Sequence, residues 1–93
     1  MIISFADKRT ERLFRDGECP AAWRAFEKVA RRKLDLLDYA RELADLRSPP
    51  GNRLEALKGY RKGQWSIRIN DQWRVCFVWS DEGPQEVEIV DYH

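Results

Sequence analysis

The chain is short of the residues that build metal sites and disulfide frameworks. Its 93 residues include two cysteines and one histidine, His93, which is also the last residue. Cys19 and Cys76 lie far apart, show no CxxC spacing and have no histidine near either. That pattern argues against a zinc site and for reduced thiols in a cytosolic protein. Long hydrophobic runs are missing as well. "MIISFADK" at the N-terminus is far too short for a signal peptide or a membrane span, so a cytoplasmic protein with no membrane partner is expected. No repeat, low-complexity tract or linker divides the chain. With 43% hydrophobic and 12% aromatic residues, residues 1–93 are expected to form one domain.

Net charge is nearly absent too, at +1, and by itself points to no polyanion partner. The charges are unevenly spread, however. Residues 7–47 carry 11 basic and 9 acidic side chains, residues 53–74 carry 6 and 2, and residues 81–91 carry 0 and 5. A cationic middle precedes an acidic end.

"IISF", Ile2 to Phe5, reads as a short strand, followed by Asp7 as a helix N-cap, a helical stretch with Leu13 and Phe14, and Gly17 as a stop. A second helix starts near Pro20 and keeps Trp23, Phe26, Ala30, Leu34, Leu37 and then Leu43 or Leu46 at near-helical spacing, until Ser48-Pro49-Pro50-Gly51 ends it. That stripe is expected core. Glu27, Arg31, Arg32, Lys33, Asp38, Arg41 and Asp45 take the other face, with pairs such as Glu27 and Arg31 at neighbour spacing. It reads as a solvated face, or as a flank for a protein or RNA partner.

From Leu54 the period changes to that of strands. In "WSIRI" Trp65, Ile67 and Ile69 alternate with Ser66 and Arg68; in "WRVCFVW" Trp73, Val75, Phe77 and Trp79 alternate with Arg74, Cys76 and Val78. Gln85 to Val90 adds a final strand. The expected fold is α+β, with two N-terminal helices lying on a largely antiparallel sheet of four to five strands.

Around "NDQ", Asn70 to Gln72, the two central strands form a hairpin. Keeping the aromatic parity on the core side pairs Ile69 with Trp73, which sets Arg68 opposite Arg74 on the outer face. Like charges so placed oppose folding by roughly 0.2–1 kcal/mol. Either both arginines bend into water or pair with Glu86 or Glu88, or they form a phosphate site. Lys58, Arg61 and Lys62 in "LKGYRKG" add cations just before the hairpin, and Gly59 and Gly63 allow close backbone approach to a ligand. Tyr60 and Tyr92 offer base stacking or ordinary packing.

"RLEALKGYRKGQWSIRINDQWRVCFVW" followed by "VEIVDYH" resembles the HigB branch of the RelE/ParE toxin superfamily, whose members share an "LKG...G.WSI.VN..WRI.F" core and end in "DYH". The match is dense over residues 46–93 and weaker in "IISF" and the helices. The resemblance implies a RelE/ParE-like fold and a ribosome-dependent mRNA endonuclease, the toxin half of a type II toxin-antitoxin pair. It further implies a HigA-like helix-turn-helix antitoxin that neutralises the toxin and carries it to operator DNA, with ribosome and mRNA as the other partners.

The family's cleavage uses no metal and no cofactor: a ribose 2′ oxygen attacks the adjacent phosphorus, leaving a cyclic phosphate and a 5′ hydroxyl. Such chemistry needs a base, an acid and cations around a phosphorane. By resemblance Lys58 and Arg74 match the cations, and Asp91, Tyr92 and His93 match the terminal catalytic group. Arg68 is added from the hairpin register. A terminal histidine is by default a frayed, solvated imidazole; the resemblance instead makes His93 an acid or base, oriented or tuned by Asp91. Strand parity places Asp91 and His93 on the core side and Tyr92 on the other, so a twist or bulge is needed to unite them.

Glu55 stands where many family members have histidine. A carboxylate also accepts a proton, and a neighbouring Lys58 or arginine keeps it ionised and ready to act as base; the other reading is a surface glutamate with no role. Two further functions are compatible with the sequence. ParE proteins use the same architecture to inhibit DNA gyrase without needing "DYH", and a weakly catalytic toxin would act mainly within a DNA-bound repressor complex.

Overall fold

The computed structural model describes residues 1–92. Helix α1 spans Lys8–Asp16 and is bounded as its caps dictate. Asp7, in extended conformation, accepts from the Thr10 amide at 3.4 Å, and Gly17 closes the helix in the left-handed region (φ 73°), its amide returning to the Leu13 carbonyl at 3.2 Å.

The single second helix expected from Pro20 to Ser48 is divided into three. A 3₁₀ segment, Ala21–Phe26, leads into α2, Glu27–Tyr39; Ala40 is extended, and a separate 3₁₀ turn covers Leu43–Arg47. The later break is made by Asp45. Its carboxylate accepts the amides of Arg41 (2.9 Å) and Glu42 (3.0 Å), a cap that starts a new turn in place of a continued helix. The apolar stripe survives the breaks: Trp23, Phe26, Ala30, Leu34, Leu37 and Leu46 are all buried. Lys33 departs from the charged face to which its spacing assigned it. It is 7% exposed, because the buried amide of Asn52 offers it an acceptor that periodicity does not reveal.

Four strands follow, β1 (Glu55–Ala56), β2 (Trp65–Arg68), β3 (Trp73–Ser80) and β4 (Gly83–Asp91), paired antiparallel in the order β1-β2-β3-β4. Beside β4 lies the N-terminal "IISF", reduced from the expected strand to one parallel bridge, Phe5 with Val87. Glu86 interrupts longer pairing: it has a positive φ of 53°, and its amide goes to the Ser4 hydroxyl at 3.0 Å. Farther along this edge the Thr10 hydroxyl accepts the Ile89 amide at 3.1 Å, so α1 covers the open strand.

The core forms between the helices and one sheet face. Ile67, Val75, Phe77, Val87 and Ile89 meet Leu13, Trp23, Leu34 and Leu37, and Trp73 packs on Phe26 with ring centres 5.2 Å apart. The α+β architecture is the one the patterning predicts. No helix is long and apolar enough to cross a membrane among the described residues.

Candidate functional site

The outer face of the sheet is set by the central hairpin. Arg68 and Arg74 are direct cross-strand partners, and the Ile69 amide reaches the Trp73 carbonyl at 3.0 Å around the Asn70–Gln72 loop. Asn70 holds the loop by accepting the amides of Gln72 and Trp73, each at 2.8 Å. The two guanidinium groups part. Arg68 pairs with Asp71 in the loop, whereas Arg74 donates from Nε to the Ser66 hydroxyl and from Nη2 to the Arg53 carbonyl, both at 2.7 Å. Neither ion-pairs with Glu86 or Glu88. Glu88 is taken by Arg61, and Glu86 lies at the bulge far along β4.

Register places Glu55, Ser66, Cys76 and Glu88 in one row across all four strands, with Arg68, Arg74 and Val90 in the next. β1 and β4 are opposite edges, yet the turn after β1 folds back over this face. Arg61 makes the crossing: its Nη1 donates to Gln64 at 3.0 Å and to Glu88 at 2.9 Å. The Glu88 contact is the main reason its pKa lies above the ordinary arginine value. Ser66 and Cys76 are consequently buried although they point away from the core, and burial pushes the Cys76 thiol up to about 11.

The crossing creates two adjoining clefts that share Lys58 and Tyr92. One is lined also by Glu55, Ala56 and Leu57, the other by Tyr60, Arg61 and Asp91. Tyr60 is 95% exposed, with the Arg61 guanidinium 5.8 Å from its ring centre. Lys62 is exposed and lines neither cleft. Asp91 pairs with Trp73 on the core-side parity and accepts from the Gln72 side chain at 2.9 Å, while the Tyr92 amide reaches the Gln72 carbonyl at 2.9 Å. The pairing with Trp73 keeps Asp91 on the expected parity, yet Asp91 and Tyr92 both border the second cleft. His93, expected as an acid or base, lies outside the described residues. Among the described residues no group of three or more His, Cys, Asp or Glu is placed to hold a metal ion.

Strand alternation is enough to set the two arginines opposite each other, but not to reveal what holds Arg74. Ser66 was marked only by sharing the parity of Arg68, and nothing local marked the Arg53 carbonyl. Arg74 lines neither cleft but lies on the same outer face, in the row next to Glu55, and a face that adds this cation to a cleft lined by Lys58, Glu55 and Tyr92 suits a polyanion with a reacting phosphate.

The model of the family described as RelE-like toxin of type II toxin-antitoxin system HigB matches residues 3–93. The chain belongs to this HigB-like toxin family. It is similar to Toxin HigB-1 of Vibrio cholerae serotype O1, at 42% identity over 85 residues covering 87% of this chain and 86% of that protein. The protein named Endoribonuclease HigB from Proteus vulgaris is 30% identical over 93 residues, covering all of both chains. Membership of the HigB-like family makes this chain the toxin member of a type II toxin-antitoxin pair and an antitoxin its partner.

Proposed function

We propose that the chain is a ribosome-dependent mRNA endonuclease, with residues 1–93 acting as one RelE/ParE-like toxin domain. The observation that carries this reading is the Arg74 guanidinium, held at two points on the face that carries Glu55 and Tyr92. A cation fixed before substrate arrives stabilises a phosphorane without having to reorganise during the reaction.

Glu55, which shares a cleft with Lys58, takes the 2′ proton. The 2′ oxygen bonds to phosphorus as the bond to the 5′ oxygen breaks, leaving a cyclic phosphate and a 5′ hydroxyl. Lys58 and Arg74 neutralise the charge that accumulates, and Tyr92 or His93 supplies the proton to the leaving oxygen, with Asp91 tuning His93. Tyr60 stacks on a base, while Arg68, Arg61 and Lys62 border the path of the strand. No step calls for a metal or another cofactor. The Proteus vulgaris relative is named an endoribonuclease, which supports RNA cleavage as the reaction class. In this reading the protein works in the cytoplasm, and a HigA-like helix-turn-helix antitoxin neutralises it and brings the complex to operator DNA.

Induced expression of the wild type, Lys58→Ala, Arg74→Ala, Glu55→Gln and a chain lacking His93 tests the assignment. Growth arrest by the wild type, relieved in each variant with the protein still folded, is expected. Undiminished arrest by Lys58→Ala and Arg74→Ala together with gyrase poisoning would support the ParE-like activity instead.

A further inference from the structure

Lys33, Asn52 and Arg53 take no part in the chemistry above, yet they form a connected path from the helical layer to Arg74. An ammonium group is rarely buried unless it is hydrogen-bonded. Lys33, on α2, is 7% exposed and donates to Asn52 Oδ1. Asn52 is fully buried, and its Nδ2 donates to the carbonyls of Leu46 and Ser48, each at 3.1 Å. One amide therefore ties the turn from Leu46 onward to α2. The next residue, Arg53, is left-handed (φ 46°, ψ 56°), and its carbonyl accepts from Arg74 Nη2 at 2.7 Å.

We propose that Asn52 is a positioning residue for Arg74, the buried Lys33–Asn52 contact fixing the turn whose carbonyl, at Arg53, orients the guanidinium. A non-glycine residue keeps a left-handed backbone only where its surroundings impose it. Once Asn52 loosens, Arg53 relaxes and its carbonyl turns away. Ser66 then holds Arg74 by Nε alone, a single pivot about which the Nη groups swing. The inference rests on the reading that Arg74 binds the reacting phosphate, where misplacement by about 1 Å lowers the rate by about a hundredfold.

The test uses ¹⁵N-labelled protein and the Nη protons of Arg74, assigned by their loss in Arg74→Lys. Wild type shows separate Nη signals, because a held guanidinium does not rotate freely. Lys33→Met and Asn52→Ala average them while the amide spectrum of the core is retained, and Arg53→Asn, which tolerates the left-handed backbone, keeps them separate. In cleavage on ribosomes Lys33→Met lowers kcat up to about a hundredfold with KM unchanged. If Asn52→Ala does not fold, Lys33→Met decides alone. Separate Nη signals persisting in Lys33→Met overturn the proposal. Normal cleavage by Arg74→Ala overturns the assigned function and leaves the positioning of Arg74 to the spectra.

Discussion

Arg61 Nη1 sits 2.9 Å from Glu88 Oε1, joining the turn after β1 to β4 across the two strands between them. This contact folds one edge of the sheet over its outer face toward the other. Through it Lys58, which follows β1, and Tyr92, which follows β4, line the same clefts.

The clasp should be measurable as an energy. The two side chains are only 18% and 26% exposed, so removing one leaves the other charge poorly solvated. Arg61→Met and Glu88→Gln should each destabilise the protein, with a coupling of roughly 1–2 kcal/mol in a double-mutant cycle read by urea unfolding. Losses that add to within about 0.3 kcal/mol would show that the two side chains do not act together.

Cys76 gives a pH signature. Its folded pKa is raised to about 11 from 9.0, so between those values the folded state holds a proton that the unfolded state has lost. Stability due to this group is fully present below pH 9 and declines as pH rises through 11, by roughly 2–3 kcal/mol in all. Cys76→Ala should lack that component, so the stability difference between the two proteins changes over this window. A pH-independent difference would contradict the burial argument.

Gly83 admits no side chain. A Cβ there would lie 2.2 Å from the Met1 carbonyl oxygen, and φ is +137°. Gly83→Ala should therefore lower stability by roughly 2–4 kcal/mol, seen as a fall in Tm, because strain adds to the clash. A Tm within a degree or so of wild type would mean that the N-terminal segment does not pack against the start of β4.

Tyr60 separates binding from folding. At 95% exposure it contributes little to stability, so Tyr60→Ala should leave Tm unchanged while weakening binding of single-stranded RNA by roughly 1–3 kcal/mol. Tyr60→Phe keeps the ring and should bind normally. Equal affinity of Tyr60→Ala and wild type for a short oligonucleotide would remove Tyr60 from the RNA path.

What the sequence disclosed follows the range of the interactions involved. Alternation is a local property, and it placed Arg68 opposite Arg74 and set Phe77 and Val75 in the core. The stripe from Trp23 to Leu46 was legible for the same reason, even though the helix carrying it is broken. Its break was hidden because a capping Asp45 looks like any other acidic residue on a helix face until its carboxylate is seen to accept two amides. β1, with two residues, is too short to show a period. The groups that hold Arg74 were harder still, since Arg53 contributes only a backbone atom, aimed by a turn anchored on a lysine in another layer. Arg61 likewise reads in sequence as one more cation for RNA, and only the fold shows its charge paired across the sheet.

Single-turnover cleavage of an mRNA on programmed ribosomes tests the central claim most directly, with the rate and the chemistry of the new ends read together. The account predicts a cyclic phosphate and a 5′ hydroxyl from the wild type, and rates lower by about 10²–10³-fold for Arg74→Ala. Cleavage by Arg74→Ala at the wild-type rate, or ends carrying a 5′ phosphate, would contradict it.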